Sequence, residues 1–227
     1  MRKVLEVIVT SPAEAIEAEA GGADRLELVR DLAHGGLTPD FEVVSAVLDA
    51  VRIPVRVMLR ESATMSVRNG QELQRLQSAA SHFAQLPLDG IVLGFIRDGA
   101  IDQSALESVL RCAPECRFTF HRAFEELPNA ELALAELKRF PRIDRILTSG
   151  GHGDWSRRKA RLLALQGAAS PEISLMVGAG LSGDVLRDLA RTPELREIHV
   201  GRAARAQHSV AGTVERGLVE RLRNILQ

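Results

Sequence analysis

Short apolar runs recur along the chain, each followed by a helix-length amphipathic segment. The runs read as strands at Val4–Val9, Arg25–Val29, Val55–Arg60, Gly90–Phe95, Phe118–His121, Arg145–Ser149, Ile173–Gly178 and Glu197–Gly201. Each is rich in Val, Ile or Leu, as strands covered by helices on one face and by other strands on the other should be. Helices fill the gaps, from Pro12–Ala20 through to 214–226. Thr38 before Pro39, Asp102 and Ser182 supply cap chemistry at helix starts. Eight alternating units with no Pro- or Gly-rich linker predict an α/β fold, a single-domain (β/α)8 TIM barrel over residues 1–227. An open doubly wound sheet is the alternative, but no Gly-x-Gly-x-x-Gly follows the first strand. Ala23–Leu28 and Ile143–Thr148 echo one another, as a duplicated half-barrel would.

Alternation along each strand sends one parity to the helices and the other to the barrel axis. Leu5 and Val7 flank Glu6, and Leu26 and Leu28 flank Glu27, so both glutamates face inward. The same parity turns Arg25, Arg56, Met58, Arg60, Thr119, His121, Arg145 and His199 into the lumen. Buried charge costs several kcal/mol per ion when unpaired, so these groups must pair or bind a ligand. Arg25, Arg56 and Arg145 lie low on their strands and predict a structural ion network. Glu6, Glu27, Arg60 and His121 lie nearer the end where strands hand over to helices, the reactive end of such folds. Five of the six histidines, His34, His121, His152, His199 and His208, fall on that edge; His82 lies in a helical run.

Glycine marks the last loops. Val177-Gly178-Ala179-Gly180-Leu181-Ser182 follows the seventh strand and Val200-Gly201-Arg202 the eighth, while Thr148-Ser149-Gly150 ends the sixth. Loops at these places form the usual phosphate cradle of a barrel, so Ser149, Gly150, Gly178, Gly180, Ser182, Gly201 and Arg202 are the anion-binding candidates. Packing alone also accounts for short glycine turns. His34 and His152 sit on glycine loops and read more simply as solvated, and Trp155 as a packing anchor.

Composition then removes several chemistries. The 29 basic and 30 acidic residues are interspersed, giving a net charge of −1 and no basic stripe for nucleic acid. The first apolar run is interrupted by Glu6 and is too short for a membrane span or signal core, so a cytoplasmic protein without membrane partners is expected. There is no Tyr, and Lys3, Lys138 and Lys159 all lie away from strand C-termini, against a Schiff-base lyase. Cys112 and Cys116 flank Pro114 at the opposite end of the strands and read as small apolar turn residues rather than a metal clip. What remains is Glu6 or Glu27 as general base, His121 as acid, Arg60 and Arg122 as an anion clamp, and His199 beside them. An isomerase, epimerase or lyase acting on a small anionic or phosphorylated metabolite fits that set.

Gly22–Leu28, Gly35-Gly36-Leu37-Thr38-Pro39, Thr119–Phe124, Ile146–Gly150 and Gly178-Ala179-Gly180, in this order, resemble the CutC family, TIM-barrel proteins named for copper homeostasis. The resemblance implies a cytoplasmic, self-associating barrel, in the simplest case a homodimer, with a role in copper handling. It also implies that Glu6, Glu27, Arg60, His121 and Arg122 are polar mouth residues. Two departures bear on copper. Many members carry cysteines after both glutamate-bearing strand cores, where this chain has Val7-Ile8-Val9 and Val29, and the arginine-rich turn after the third strand is reduced to Arg60-Glu61-Ser62. Intracellular Cu(I) prefers thiolate and thioether ligands, and no sulfur motif stands here. A copper ion would have to be held by His121, His199 and a carboxylate.

Overall fold

A computed structural model describes residues 2–227. Eight parallel strands close on themselves in the order β1 (Val4–Val9), β2 (Arg25–Leu28), β3 (Val55–Met58), β4 (Gly90–Leu93), β7 (Phe118–Phe120), β8 (Ile143–Thr148), β9 (Ser174–Val177) and β10 (Glu197–Val200), which returns to β1. Around them lie α1 (Pro12–Ala20), α2 (Phe41–Ala50), α3 (Gly70–Phe83), α4 (Gln103–Cys112), α5 (Ala130–Leu137), α6 (Trp155–Ala169), α7 (Gly183–Ala190) and α8 (Arg216–Ile225). The expected (β/α)8 barrel is therefore present. The main apolar core lies between sheet and helices and takes the outward parity of each strand, for example Leu5, Val7, Leu26, Leu28 and Val57. Ser11, Asp102 and Ser182 cap α1, α4 and α7 with their side chains, each accepting a backbone N–H from the first turn.

Four features depart from the reading of the sequence. Most strands stop one or two residues early, because their last residues leave the ladder to build the mouth. The sixth barrel strand starts at Ile143 rather than Arg145, bringing Asp144 into the sheet. Thr38 caps no helix: Asp40 stands at the start of α2, and Thr38 Oγ1 instead accepts from Arg60 N (2.8 Å) and donates to Arg60 O (2.9 Å). The loop after β4 also contains a two-strand hairpin, β5 (Ile96–Arg97) and β6 (Ala100–Ile101). Asp98 and Gly99 both take positive φ there, the conformation a tight two-residue turn needs.

The N-terminal end of the barrel is plugged by charge. Arg56, 0% exposed, forks onto Asp144 (2.7 and 2.8 Å), reaches Asp89 (2.7 Å) and donates to Thr119 Oγ1 (2.7 Å). Arg145 bonds Glu197 and Asp144 (both 2.8 Å), and Arg25 reaches the same Glu197 oxygen at 2.5 Å. The expected structural network of Arg25, Arg56 and Arg145 is thus present, with Asp89, Asp144 and Glu197 as its carboxylates. Arg56→Leu leaves two carboxylates without their buried cation. It should destabilise the fold by about 3 kcal/mol, the lower end for a broken buried pair because both keep some exposure. A lowered denaturant midpoint at unchanged slope is the expected readout.

Candidate functional site

Above the plug, the inward parity of β1, β2 and β10 brings Glu6, Glu27 and His199 together; Glu6 and His199 are register neighbours across the β1–β10 seam. Arg25 Nε donates to Glu6 Oε2, and His199 Nδ1 to Glu6 Oε1 at 2.7 Å. His199 Nε2 lies 3.3 Å from Glu27 Oε2. The result is a line of alternating charge from Arg25 through Glu6 and His199 to Glu27. Burial pushes the Glu6 carboxyl up, but the Arg25 charge and the His199 hydrogen bond outweigh it and hold the pKa at about 2. His199 is raised: burial opposes its charge, and the two glutamates more than compensate. Glu27 has no such partner on its open side. Burial, with the repulsion of Glu6, carries its pKa up to about 7 against the pull of His199 and Arg25.

A cavity of about 940 Å³ opens over this line. Glu27 and His199 are in its wall, whereas Glu6 is 0% exposed and lies behind them. Apolar inward residues Ile8, Val29, Met58 and Leu147 surround the polar floor. His121 enters the same wall at the end of β7. Its Nδ1 accepts the Ala123 N–H (3.2 Å), which leaves the ring proton on Nε2. Burial, reinforced by the Arg60 charge, lowers the His121 pKa to about 3, so the ring is neutral at every physiological pH. His121, expected as an acid, thus presents a neutral Nε2–H at this wall. The ring is held against Gly94: a methyl group there would stand 2.5 Å from Nδ1.

Two buried atoms in this wall have no hydrogen-bond partner among the described residues: Glu27 Oε1 and His121 Nε2, on residues 2% and 4% exposed. A native fold seldom leaves such groups unsatisfied without a reason. One is a carboxylate poised between its charge states, the other a fixed donor.

Arg60 also lines the cavity, and each of its three guanidinium nitrogens donates to a backbone carbonyl, of Gly35 (3.2 Å), Ala63 or Thr64 (3.4 Å), leaving two of its five N–H groups over. Burial lowers its pKa, with Glu126 opposing. No carboxylate stands within 4.0 Å of it among the described residues, so it brings positive charge without a direct ion pair and shapes the loop after β3. Arg122 lies at the rim, mostly exposed, and forks onto Glu125 Oε2 (2.9 and 2.8 Å).

The expected anion cradle divides. Gly180, Ser182, Gly201 and Arg202 line the cavity. Ser149 and Gly150 do not: the Ser149 N–H is taken by Glu125 Oε1 and that of Gly150 by Thr148 Oγ1 (3.0 Å). The Gly178 N–H is taken by Thr148 O (3.1 Å), and a methyl group at Gly178 would meet Leu147 at 2.8 Å and His199 at 3.2 Å. Those three residues therefore lie outside the cavity lining, with their backbone N–H groups engaged inside the frame. Glu125, which clamps Arg122 to the loop after β8, was not singled out in the sequence, nor were Gly94 and Glu197. His208 joins the cavity wall, whereas His34 pairs with Asp31 in solvent and His82 packs edge-on to Phe41. Trp155 donates to Asp188 (2.8 Å), consistent with packing.

Donor atoms of Glu6, Glu27 and His199 lie within 4.8 Å of one another, a spacing open to a metal ion. Both Glu6 oxygens are already engaged by Arg25 and His199, however, so two donors rather than three face the cavity. Sulfur is represented in the wall by the thioethers of Met58 and Met65; Met176 instead accepts from Arg25 (3.3 Å). Cys112 closes α4 and Cys116 precedes β7, at the other end of the barrel. No helix among the described residues is long and apolar enough to cross a membrane.

The CutC family profile matches residues 3–204. The family protein CutC of Xanthomonas axonopodis pv. citri is 33% identical over 196 residues, covering 86% of this chain and 81% of its own. That of Xanthomonas campestris pv. campestris is 30% identical over 234 residues, covering 98% and 97%. The crystal structure of the CutC from Streptococcus agalactiae superposes with a TM-score of 0.79 at 24% identity, over 88% of this chain and 98% of that one, a likeness of fold. The chain belongs to the CutC family.

Proposed function

We propose that the barrel mouth carries out acid–base chemistry on a small anionic organic substrate, of the isomerase, epimerase or lyase type. The pairing of the unpartnered Glu27 Oε1 and His121 Nε2 in one apolar-walled cavity carries this reading. Glu27 takes a proton from substrate carbon through Oε1 and returns it. A carboxyl with a pKa of about 7 is half-ionised at neutral pH and serves in either direction. The neutral His121 donates Nε2–H to the oxygen on which negative charge develops, the task of a fixed donor in a dry site. His199 holds Glu27 in place and passes on the field of Glu6 and Arg25. Arg60, with Arg202 at the rim, favours an anion.

The test is solvent exchange. Purified protein is incubated in D2O with a panel of aldose and ketose phosphates and 2-oxo acids, and carbon-bound protons are followed by NMR. Deuterium entering one class of substrate at a catalysed rate is the expected result. A panel that exchanges no faster than the buffer control would sink this reading.

A second reading rests on the name of the Streptococcus agalactiae relative, a copper homeostasis protein, and on Met58, Met65, His121 and His199 sharing one wall. Here Cu(I) would be cargo, held by thioether and imidazole without thiolate, a weaker set than Cu(I) prefers. Cu(I) titration against a competing chelator decides it. Stoichiometric binding that weakens in Met58→Leu and His121→Ala supports cargo, whereas copper left with the chelator removes it.

A further inference from the structure

The cavity is larger than a phosphorylated triose or a 2-oxo acid requires, and its lining runs well beyond Glu27, as far as α7 and α8. Its volume of about 940 Å³ stands near the upper end of the ~300–1,000 Å³ usual for ligand pockets. His199 faces the barrel axis, so Val200, the next residue, faces the helices. Both line the cavity, which therefore passes over the end of β10 at Gly201, where no side chain stands in the way. Beyond Gly201 the wall is apolar: Leu186 of α7, Val200 of β10, and Leu218, Leu222 and Ile225, one stripe of α8 at spacings of four and three. Val210, 40% exposed, also lines the cavity.

Charge in this cavity is one-sided. Arg60, Arg202 and Arg221 line it, and none has a carboxylate within 4.0 Å among the described residues. Arg122 is neutralised by Glu125, and the one carboxylate in the wall is Glu27. An apolar gallery bordered by unpaired guanidinium groups and ending on a polar floor has the shape of a ligand with two unlike parts.

We infer that the substrate is an amphipathic anion whose reacting polar end sits over Glu27 and His121 and whose aliphatic or aromatic body occupies the gallery between α7 and α8. This inference names the substrate class for the acid–base site and rests on that reading for the polar end alone. The gallery's preference for an apolar body is a binding property and is measurable without turnover.

The probe is a series of n-alkyl phosphates of four to twelve carbons, kept below their critical micelle concentrations, with inorganic phosphate as the zero-length member. Binding to the wild-type protein is followed by calorimetry. Each methylene moved from water into the gallery should lower Kd by about fourfold, levelling off when the gallery is full. Val210→Asp, at an exposed position, and Ala203→Trp, which narrows the passage, should flatten that dependence while leaving inorganic phosphate unchanged. Glu27→Gln should keep the slope, so failure of the acid–base reading and failure of the gallery are separable. A Kd independent of chain length overturns the inference. So does a slope indifferent to both gallery variants. A flat series in a protein that sediments as a dimer, and as a monomer with Val210→Asp, would assign the gallery to a second copy of the chain.

Discussion

Glu27→Gln should lower the rate of deuterium entry into the substrate by about 10²–10⁴-fold, the range a positioned general base contributes. The amide preserves size and can still face His199, so the fold should be retained. What it removes is a group that takes up and gives back a proton near neutrality. In the wild-type protein the rate should fall as pH drops below about 7, because protonated Glu27 cannot act as base. That acid limb should vanish in the variant.

The same carboxyl couples stability to pH with a definite sign. Its folded pKa of about 7 lies above the value of an exposed glutamate, so between those two values the folded state binds more protons than the unfolded chain. Stability from this group is present at low pH and is lost as pH rises through about 7. His199, also raised, acts in the same direction above its unfolded value. Glu27→Gln removes the first effect and weakens the second, since Glu27 is one of the charges that raise His199. The variant should lose less stability than the wild type between pH 5 and 8, a slope that denaturant titrations at several pH values read directly.

His121→Phe carries the second large effect. The ring fills nearly the same space beside Gly94 but has no N–H, so the developing oxyanion loses its donor. A decrease of about 10²–10³-fold in kcat with little change in KM is expected, the scale on which single oxyanion donors act. His121→Gln should recover part of the loss, because its amide can donate. Since His121 is neutral above a pKa of about 3, neither variant should shift the acid limb that belongs to Glu27. A shift of that limb would show that the imidazole itself titrates in the working range.

Much of this geometry was legible in the chain because strand parity is a local property. Glu6, Glu27, His199 and His121 each interrupt or close an apolar run, and alternation alone sends them to one lumen. The low placement of Arg25, Arg56 and Arg145 likewise identified them as structural. Their carboxylates were less visible. Asp89 precedes its strand, and the start of β8 at Ile143 brings in Asp144.

The anion cradle is less legible for a related reason. Glycine shows where a backbone can turn and where side chains must approach closely, but not whether its N–H is free. The Ser149 N–H is taken across loops by Glu125 and the Gly150 N–H locally by the Thr148 hydroxyl, and neither contact leaves a periodic trace. The pKa ordering of Glu6, Glu27 and His199 was out of reach too. It depends on which of two like carboxylates lies beside Arg25, a matter of distances rather than residue types.

The central claim is that one buried carboxyl, facing the cavity without a partner, changes charge near neutral pH. A titration of ¹³C-labelled glutamate side-chain carboxyls by NMR measures this directly. One resonance should titrate near pH 7 and be absent from the spectrum of Glu27→Gln. If every glutamate resonance titrates below pH 5, or if the one near 7 survives the substitution, Glu27 is not the proton-transferring group and the account of the site is wrong.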